Sequence, residues 1–217
     1  MHITSLVASE EFANTYIQKG VVVDIGGQVI KDVGLRNFYE KKGLTYICLD
    51  IVEHNSVDIT IKIGDKLPFL TNSVDYIICN SVFEHDPCFW MTFKEMTRII
   101  KDDGYIYVNS PSSGPYCPYV VDNYRFYADA GQALAYYSGI QDCCKDCKTY
   151  PVKVIESFNI LGTEWKDFCC VWKRVHDKET SYILPVTTSI GILEKAINDR
   201  GFITERKTIL HKPDQKH

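Results

Sequence analysis

Two acidic residues that end apolar runs, and two glycines beside the first of them, carry the first chemical signal in this sequence. The run Val21-Val22-Val23-Asp24-Ile25-Gly26-Gly27 is β-branched, too short for a helix, and cut off by an acid and two glycines. That is the pattern of a buried parallel strand ending in a tight loop where a ligand can approach the backbone. A second run, Thr45-Tyr46-Ile47-Cys48-Leu49, stops at Asp50 with Ile51 beside it, 23 positions after Gly27. A carboxylate roughly 20 residues beyond a glycine loop is placed to accept hydrogen bonds from the vicinal hydroxyls of a ribose.

Further along lies a second group of polar residues, Asn80-Ser81-Val82-Phe83-Glu84-His85-Asp86, directly after the apolar run Val74–Cys79. Strand ends of this kind carry the chemistry of open α/β sheets. An imidazole titrates near neutral pH, so His85 is suited to take a proton from a hydroxyl; the alternative is a structural histidine that fixes the loop. Asp122 is a rival base, or a holder of a sugar hydroxyl. Arg125 either orients a polar acceptor or pairs with Asp122 or Asp129. A metal centre is not expected: Cys144 and Cys147 have a C-x-x-C spacing, but no second clear pair accompanies them. Cys169 and Cys170 are adjacent in a strand pattern and point to opposite faces.

These groups need a scaffold, and the remaining pattern supplies one. Phe12, Ala13, Tyr16 and Ile17 predict a helix over 9–18, and Asp32–Tyr39 reads as a loop feeding a second, short helix. Val57–Thr60 is a third short strand or the approach to one. Phe89, Phe93, Met96 and Ile100 recur at helical spacing after Pro87, with Asp102-Asp103-Gly104 as the expected stop. Tyr105–Asn109 is a fifth strand. A polar and aromatic segment follows, then a helix over 128–138, two strands near 152–160 and 168–173, and a last helix over 188–200. Alternating strands and helices imply a parallel sheet covered on both faces; the two late strands have no crossover helix between them and pair antiparallel.

Composition narrows the class. A chain of 217 residues, 45% hydrophobic and 24% charged, is sized for one domain with a full core. Its net charge of -4 argues against a general nucleic-acid binder. No apolar stretch is long enough for membrane insertion, and the first residues lack the basic and apolar regions of a signal peptide. Nine cysteines, an odd number, then read as mostly reduced thiols in a cytoplasmic setting. Nothing in the pattern specifies an oligomeric state.

In order and spacing, these elements resemble the class I S-adenosylmethionine-dependent methyltransferases over roughly Val21 to Val175. The resemblance runs through Val-Asp-Ile-Gly-Gly, Cys-Leu-Asp-Ile, Leu-Pro-Phe-x-x-x-Ser-Val-Asp-Tyr-Ile-Ile, Ser-Val-Phe-Glu-His and Glu-Met-x-Arg-Ile-Ile-Lys-x-x-Gly-Tyr-Ile. The block Val121–Ala130 is similar to a subgroup often found with cell-surface glycan biosynthesis. One departure stands out: Gln28 and Ile30 occupy the second and third glycine positions of the family loop.

The resemblance implies a Rossmann-like, seven-stranded, mostly parallel α/β sheet with helices on both faces and an antiparallel C-terminal strand. It implies one methyltransferase domain over 1–217: an N-terminal helix in 1–20, a cofactor-binding core in 21–175 with an acceptor loop near 110–127, and a C-terminal extension in 176–217. S-adenosyl-L-methionine is the implied cofactor. Asp24 is then expected near its methionine amino group, with Gly26 and Gly27 letting the chain pass close. Asp50 and Ile51 fall to the ribose end, Asp65 near the adenine, and Asn80 and Ser81 along the methionine portion. The implied reaction is O-methylation, most readily of a sugar hydroxyl in a glycan or activated sugar, with His85, Asp122 and Arg125 as catalytic candidates. Other small-molecule O- or N-methylation and a non-catalytic binding module are the alternatives.

Overall fold

A computed structural model gives the architecture of residues 3–30, 34–117, 121–139, 151–175 and 190–206. The first apolar run forms β1 (Val21–Ile25), which lies between β2 (Thr45–Asp50) and β4 (Val74–Asn80) and runs parallel to both. Outside β2 is β3 (Ile59–Thr60), and beyond β4 is β5 (Ile100–Ser113), each parallel to its neighbour. Three antiparallel strands complete the sheet: β6 (Val152–Leu161), β7 (Lys166–Arg174) and β8 (Ile203–Glu205). The order is β3-β2-β1-β4-β5-β7-β6-β8. The chain therefore leaves β1 in one direction and returns for β4 on its other side, a switch point that opens a crevice at the strand ends.

The sheet has eight strands among the described residues, one more than expected. The additional strand is β8, whose three residues are too few for an alternating pattern to register. It is held by pairing with β6 and by the Thr204 hydroxyl, which lies 2.9 Å from Glu194 Oε1 and 3.1 Å from Asn198 Oδ1.

A helix layer covers each face. On one side α1 (Ile3–Tyr16), α2 (Arg36–Lys41) and α5 (Ile192–Asp199) bring Ala8, Phe12, Tyr39, Leu193 and Ile197 against Val22, Ile78, Tyr107 and Cys169. On the other, α3 (Phe89–Ile99) and α4 (Ala130–Gly139) place Phe93, Met96, Leu134 and Ala135 against Val23, Ile77, Val108, Cys170 and Trp172. Cys169 and Cys170 thus serve opposite cores, as the two-residue period of a strand requires.

Several boundaries differ from expectation: β5 runs past Asn109 to Ser113 because it goes on pairing with β7 there, and two others have local reasons. Helix α1 begins at Ile3, six residues before the expected start, because Ser5 and Ser9 are fully buried on its inner face and interrupt the apolar stripe. Asp102-Asp103-Gly104 does not end α3. That helix stops at Ile99, and the register with β4 jumps from Val74↔Ile100 to Tyr76↔Tyr105. Asp102-Asp103-Gly104 falls in the resulting bulge in β5, with Asp103 at φ 64°.

Candidate active site

The site starts at the turn after β1. Gly26 adopts φ 76°, and a Cβ there would come within 2.2 Å of Val82 Cγ2, so only glycine fits between the two strand ends. Its N–H donates to Leu49 O at 2.7 Å, and the N–H of Gly27 reaches the same carbonyl at 3.3 Å. The chain then crosses the end of β2. There the Asp50 carboxylate accepts the N–H of Gln28 at 3.2 Å and that of Val52 at 3.1 Å.

Gly26, Gln28 and Ile30 open onto a cavity of about 420 Å³ at the C-terminal ends of β1, β2 and β4, within the usual range for a small-molecule site. Asp50, Ile51, Asp65, Asn80, Ser81 and His85 also line it. Seven of the eleven residues singled out from the sequence, Gly26 among them, are therefore brought together on one wall. Ser81 takes a left-handed conformation, φ 55°, with its N–H on Asn109 O at 2.8 Å. Asn80 is buried, and its Oδ1 has no hydrogen-bond partner.

Four of the named residues lie outside that wall. Gly27 packs on Asp24: a Cβ would sit 2.5 Å from Asp24 Oδ2. Asp24 points to the far face of β1, where its carboxylate accepts the hydroxyl of Tyr46. Burial pushes this carboxyl up to about 7; the Tyr46 hydrogen bond opposes that rise and the nearby Asp50 charge adds to it. Asp122 and Arg125 form an ion pair, with Arg125 Nη2 2.6 Å from Asp122 Oδ2, and the Cys117 N–H donates to the same oxygen at 2.7 Å. The guanidinium's hydrogen bonds hold the Asp122 carboxyl down at about 2. Arg125 also donates to Pro115 O at 2.8 Å and stands 5.7 Å over the Trp165 ring.

Hydrogen bonds from the segment after β5 pin it across the loop that carries His85. Asn123 N–H reaches Glu84 O at 2.7 Å, Asn123 Nδ2 reaches His85 O at 3.2 Å, and Tyr124 Oη reaches Pro87 O at 3.1 Å. Below it Phe126 packs on Phe83, Phe89 and Phe168. His85 Nδ1 bonds the carbonyl of Val121, and its Nε2 lies 3.7 Å from Glu84 Oε1. Asp86 faces the cavity and also organises the start of α3, accepting the Cys88 N–H at 2.8 Å and the Thr92 hydroxyl at 2.5 Å.

Glu84, Cys117 and Trp165 line the cavity without having been singled out by sequence. Trp165 comes from the β6–β7 connection, far along the chain, and no local signal ties it to the strand ends. Glu84 was visible as the neighbour of His85; its burial was not. Among the described residues no group of three or more His, Cys, Asp or Glu side chains is arranged to hold a metal ion, and no helix is long and apolar enough to cross a membrane. Cys143, Cys144 and Cys147 lie outside the described residues.

Residues 7–108 match a family model described as a methyltransferase domain. The fold is that of the Rossmann-like methyltransferases. Among solved structures, the chain is similar to the Burkholderia thailandensis 1,6-didemethyltoxoflavin-N1-methyltransferase with bound 1,6-didemethyltoxoflavin and S-adenosylhomocysteine, at TM-score 0.60 and 10% identity over 80% of this chain and 79% of that one. It is similar to the [4+2]-cyclase SpnF at TM-score 0.57 and 8% identity, covering 78% and 80% of the two chains. A methyltransferase structure from Galdieria sulphuraria gives TM-score 0.51 and 18% identity; 72% of this chain is covered, and the chain spans 61% of the length of that one. The comparison with curated proteins finds no match. At these identities the likeness establishes fold; the presence of a cyclase among the neighbours shows that fold by itself does not choose the reaction.

Proposed function

We propose that this protein is an S-adenosylmethionine-dependent methyltransferase that moves a methyl group to a hydroxyl of a small acceptor. The observation that carries the reading is the cavity at the β1/β4 switch point, whose wall combines the Asp50 carboxylate, the glycine turn at Gly26 and the unpartnered Asn80 Oδ1. Those groups fit the cofactor S-adenosyl-L-methionine. Each Asp50 oxygen accepts one backbone N–H and keeps a lone pair for a ribose hydroxyl. Ile51, Ile63 and Leu67 offer apolar surface to a base with Asp65 at its rim, and Asn80 Oδ1 is a free acceptor for an ammonium.

When bound, the cofactor supplies an electrophilic methyl group. The protein's share is then alignment of the acceptor oxygen and proton removal, and alignment accounts for much of the acceleration in a reaction of this kind. The paired Asp122 and Arg125 hold the segment over the cavity, and a sugar hydroxyl is one acceptor that their polar surroundings suit. A second reading is favoured by the many apolar residues of the wall, Ile25, Ile30, Ile61, Val82, Val121 and Trp165 among them: a flatter, less polar acceptor such as a phenol or heteroaromatic amine.

Calorimetry with S-adenosylhomocysteine tests the proposal directly. Binding is expected, and Asp50→Ala is expected to weaken it by roughly 30- to 100-fold, the loss of about one charge-assisted hydrogen bond. Absence of binding would leave a non-catalytic module with this fold. Unchanged affinity in the variant would remove Asp50 from the ribose. Transfer of label from S-adenosylmethionine to a panel of free and nucleotide-linked sugars, glycan fragments and phenols then separates the two acceptor classes.

A further inference from the structure

We infer that Glu84, and not His85 or Asp122, accepts the proton of the group that is methylated, with His85 positioned to pass that proton on to solvent. The inference rests on the methyltransferase reading and names the acceptor class more closely: a neutral molecule that presents an O–H to a buried carboxylate.

Glu84 lines the cavity, yet the residue is only 3% exposed and its Oε2 has no hydrogen-bond partner of good geometry; the Ser110 hydroxyl is the nearest donor to the carboxyl. A buried acceptor left unmatched costs about 1–3 kcal/mol, and a bound donor removes that cost. The main chain that carries it is fixed, with Glu84 O accepting the N–H groups of Asn123 and Tyr124 at 2.7 and 3.3 Å. Its other oxygen, Oε1, stands 3.7 Å from His85 Nε2.

The histidine's orientation follows from its partner. Val121 O can only accept, so Nδ1 carries a hydrogen and Nε2 is the ring nitrogen that faces Glu84. A proton gained by Glu84 therefore has a neighbouring base to move to, and the His85 side chain is 19% exposed. The other charges facing Glu84 are Arg125 and Asp122, which are spent on each other. Burial pushes the Glu84 carboxyl up to about 7, opposed by its own backbone, the Ser110 hydroxyl and the Arg125 charge; there it is a far stronger base than an ordinary glutamate and still partly ionised at neutral pH. Asp122 fails the same test: it is held at about 2 and does not line the cavity.

In the step itself Glu84 Oε2 takes the proton of the acceptor's O–H as that oxygen bonds to the methyl carbon. The electron pair of the broken carbon–sulfur bond stays on sulfur, whose positive charge is thereby neutralised, and the proton leaves through His85 to water.

The test has one arm that needs no acceptor. In protein carrying carboxyl-labelled glutamate, a carbon NMR titration is expected to show one carboxyl with a midpoint near 7, absent from Glu84→Gln. Titration of every glutamate below about pH 5 would overturn the inference. In the second arm Glu84→Gln is expected to bind S-adenosylhomocysteine within about twofold of wild type. It should transfer label to sugars or phenols roughly 100-fold more slowly. A variant that binds the product and keeps transfer within about threefold of wild type would also overturn it. Loss of product binding by the wild-type chain would instead sink the methyltransferase reading, with the titration still deciding whether Glu84 holds a proton near neutrality.

Discussion

Between about pH 4 and pH 7 the folded chain is expected to lose about 3 kcal/mol of stability through Asp24 alone. Its carboxyl rises from 3.8 to about 7 on folding, first because it is buried beneath the Gly26-Gly27 turn. Below the unfolded value both states hold the proton, and the group makes no difference. Across the window between the two values the unfolded chain has released its proton while the folded chain keeps it, so unfolding becomes easier as pH rises. Above about 7 the folded protein carries the whole cost of a buried carboxylate, relieved only in part by the Tyr46 hydroxyl. Asp24→Asn preserves an acceptor for Tyr46 and cannot ionise. Urea unfolding at pH 5 and pH 8 should show the wild type losing about 3 kcal/mol more than the variant over that interval. The variant should be the more stable of the two at pH 8. Parallel pH dependence in the two proteins would refute the assignment.

Glu156→Ala is expected to cost about 3–5 kcal/mol and to release the C-terminal part of the fold. Glu156 is buried in β6 and accepts three hydrogen bonds, from the Tyr16 hydroxyl and from the N–H groups of Leu193 and Glu194 at 2.9 and 3.0 Å. The last two are the opening amides of α5, which have no partner inside the helix, and a carboxylate there also meets the positive end of the helix dipole. The close approach depends on Gly191, where a Cβ would lie 1.9 Å from Glu156 Oε2. One side chain thus ties α1, β6 and α5 together. Removing it leaves two buried amides unmatched, and each such amide costs about 1–3 kcal/mol. Hydrogen exchange should accelerate in α5 and β8 before the parallel strands respond, and Glu156→Gln, which keeps one acceptor oxygen, should cost less. A loss below about 1 kcal/mol on Glu156→Ala would show that α5 is held by Leu193 and Ile197 instead.

Both residues show why part of this protein is legible in its sequence and part is not. The parallel strands are written in short β-branched runs, because a strand buried on both faces needs apolar residues at every position. The turn after β1 is equally local: Gly26 must be glycine where φ is 76° and Val82 closes in. Asp50 follows from strand order and spacing alone, and it stands at the cavity as that order demands. Gln28 and Ile30 replace glycines without displacing the loop from Asp50, since the contact is made by the Gln28 backbone N–H and not by a side chain.

What the tertiary structure decided is the state of each acid. The sequence offers Asp24, Glu84, Asp122 and Glu156 as four carboxylates and singles out only Asp24 and Asp122. In the fold one is buried under a glycine turn, one is left with an unmatched oxygen in a cavity, one is neutralised by Arg125 and one caps a helix from another strand. Sequence periodicity reports which face of an element is apolar. Burial, charge and hydrogen bonding at a single carboxyl are sums over segments far apart in the chain, such as Trp165 and Val121 around the cavity or Leu193 beside Glu156. That sum exists only once the chain has folded, and it separates a base from a brace.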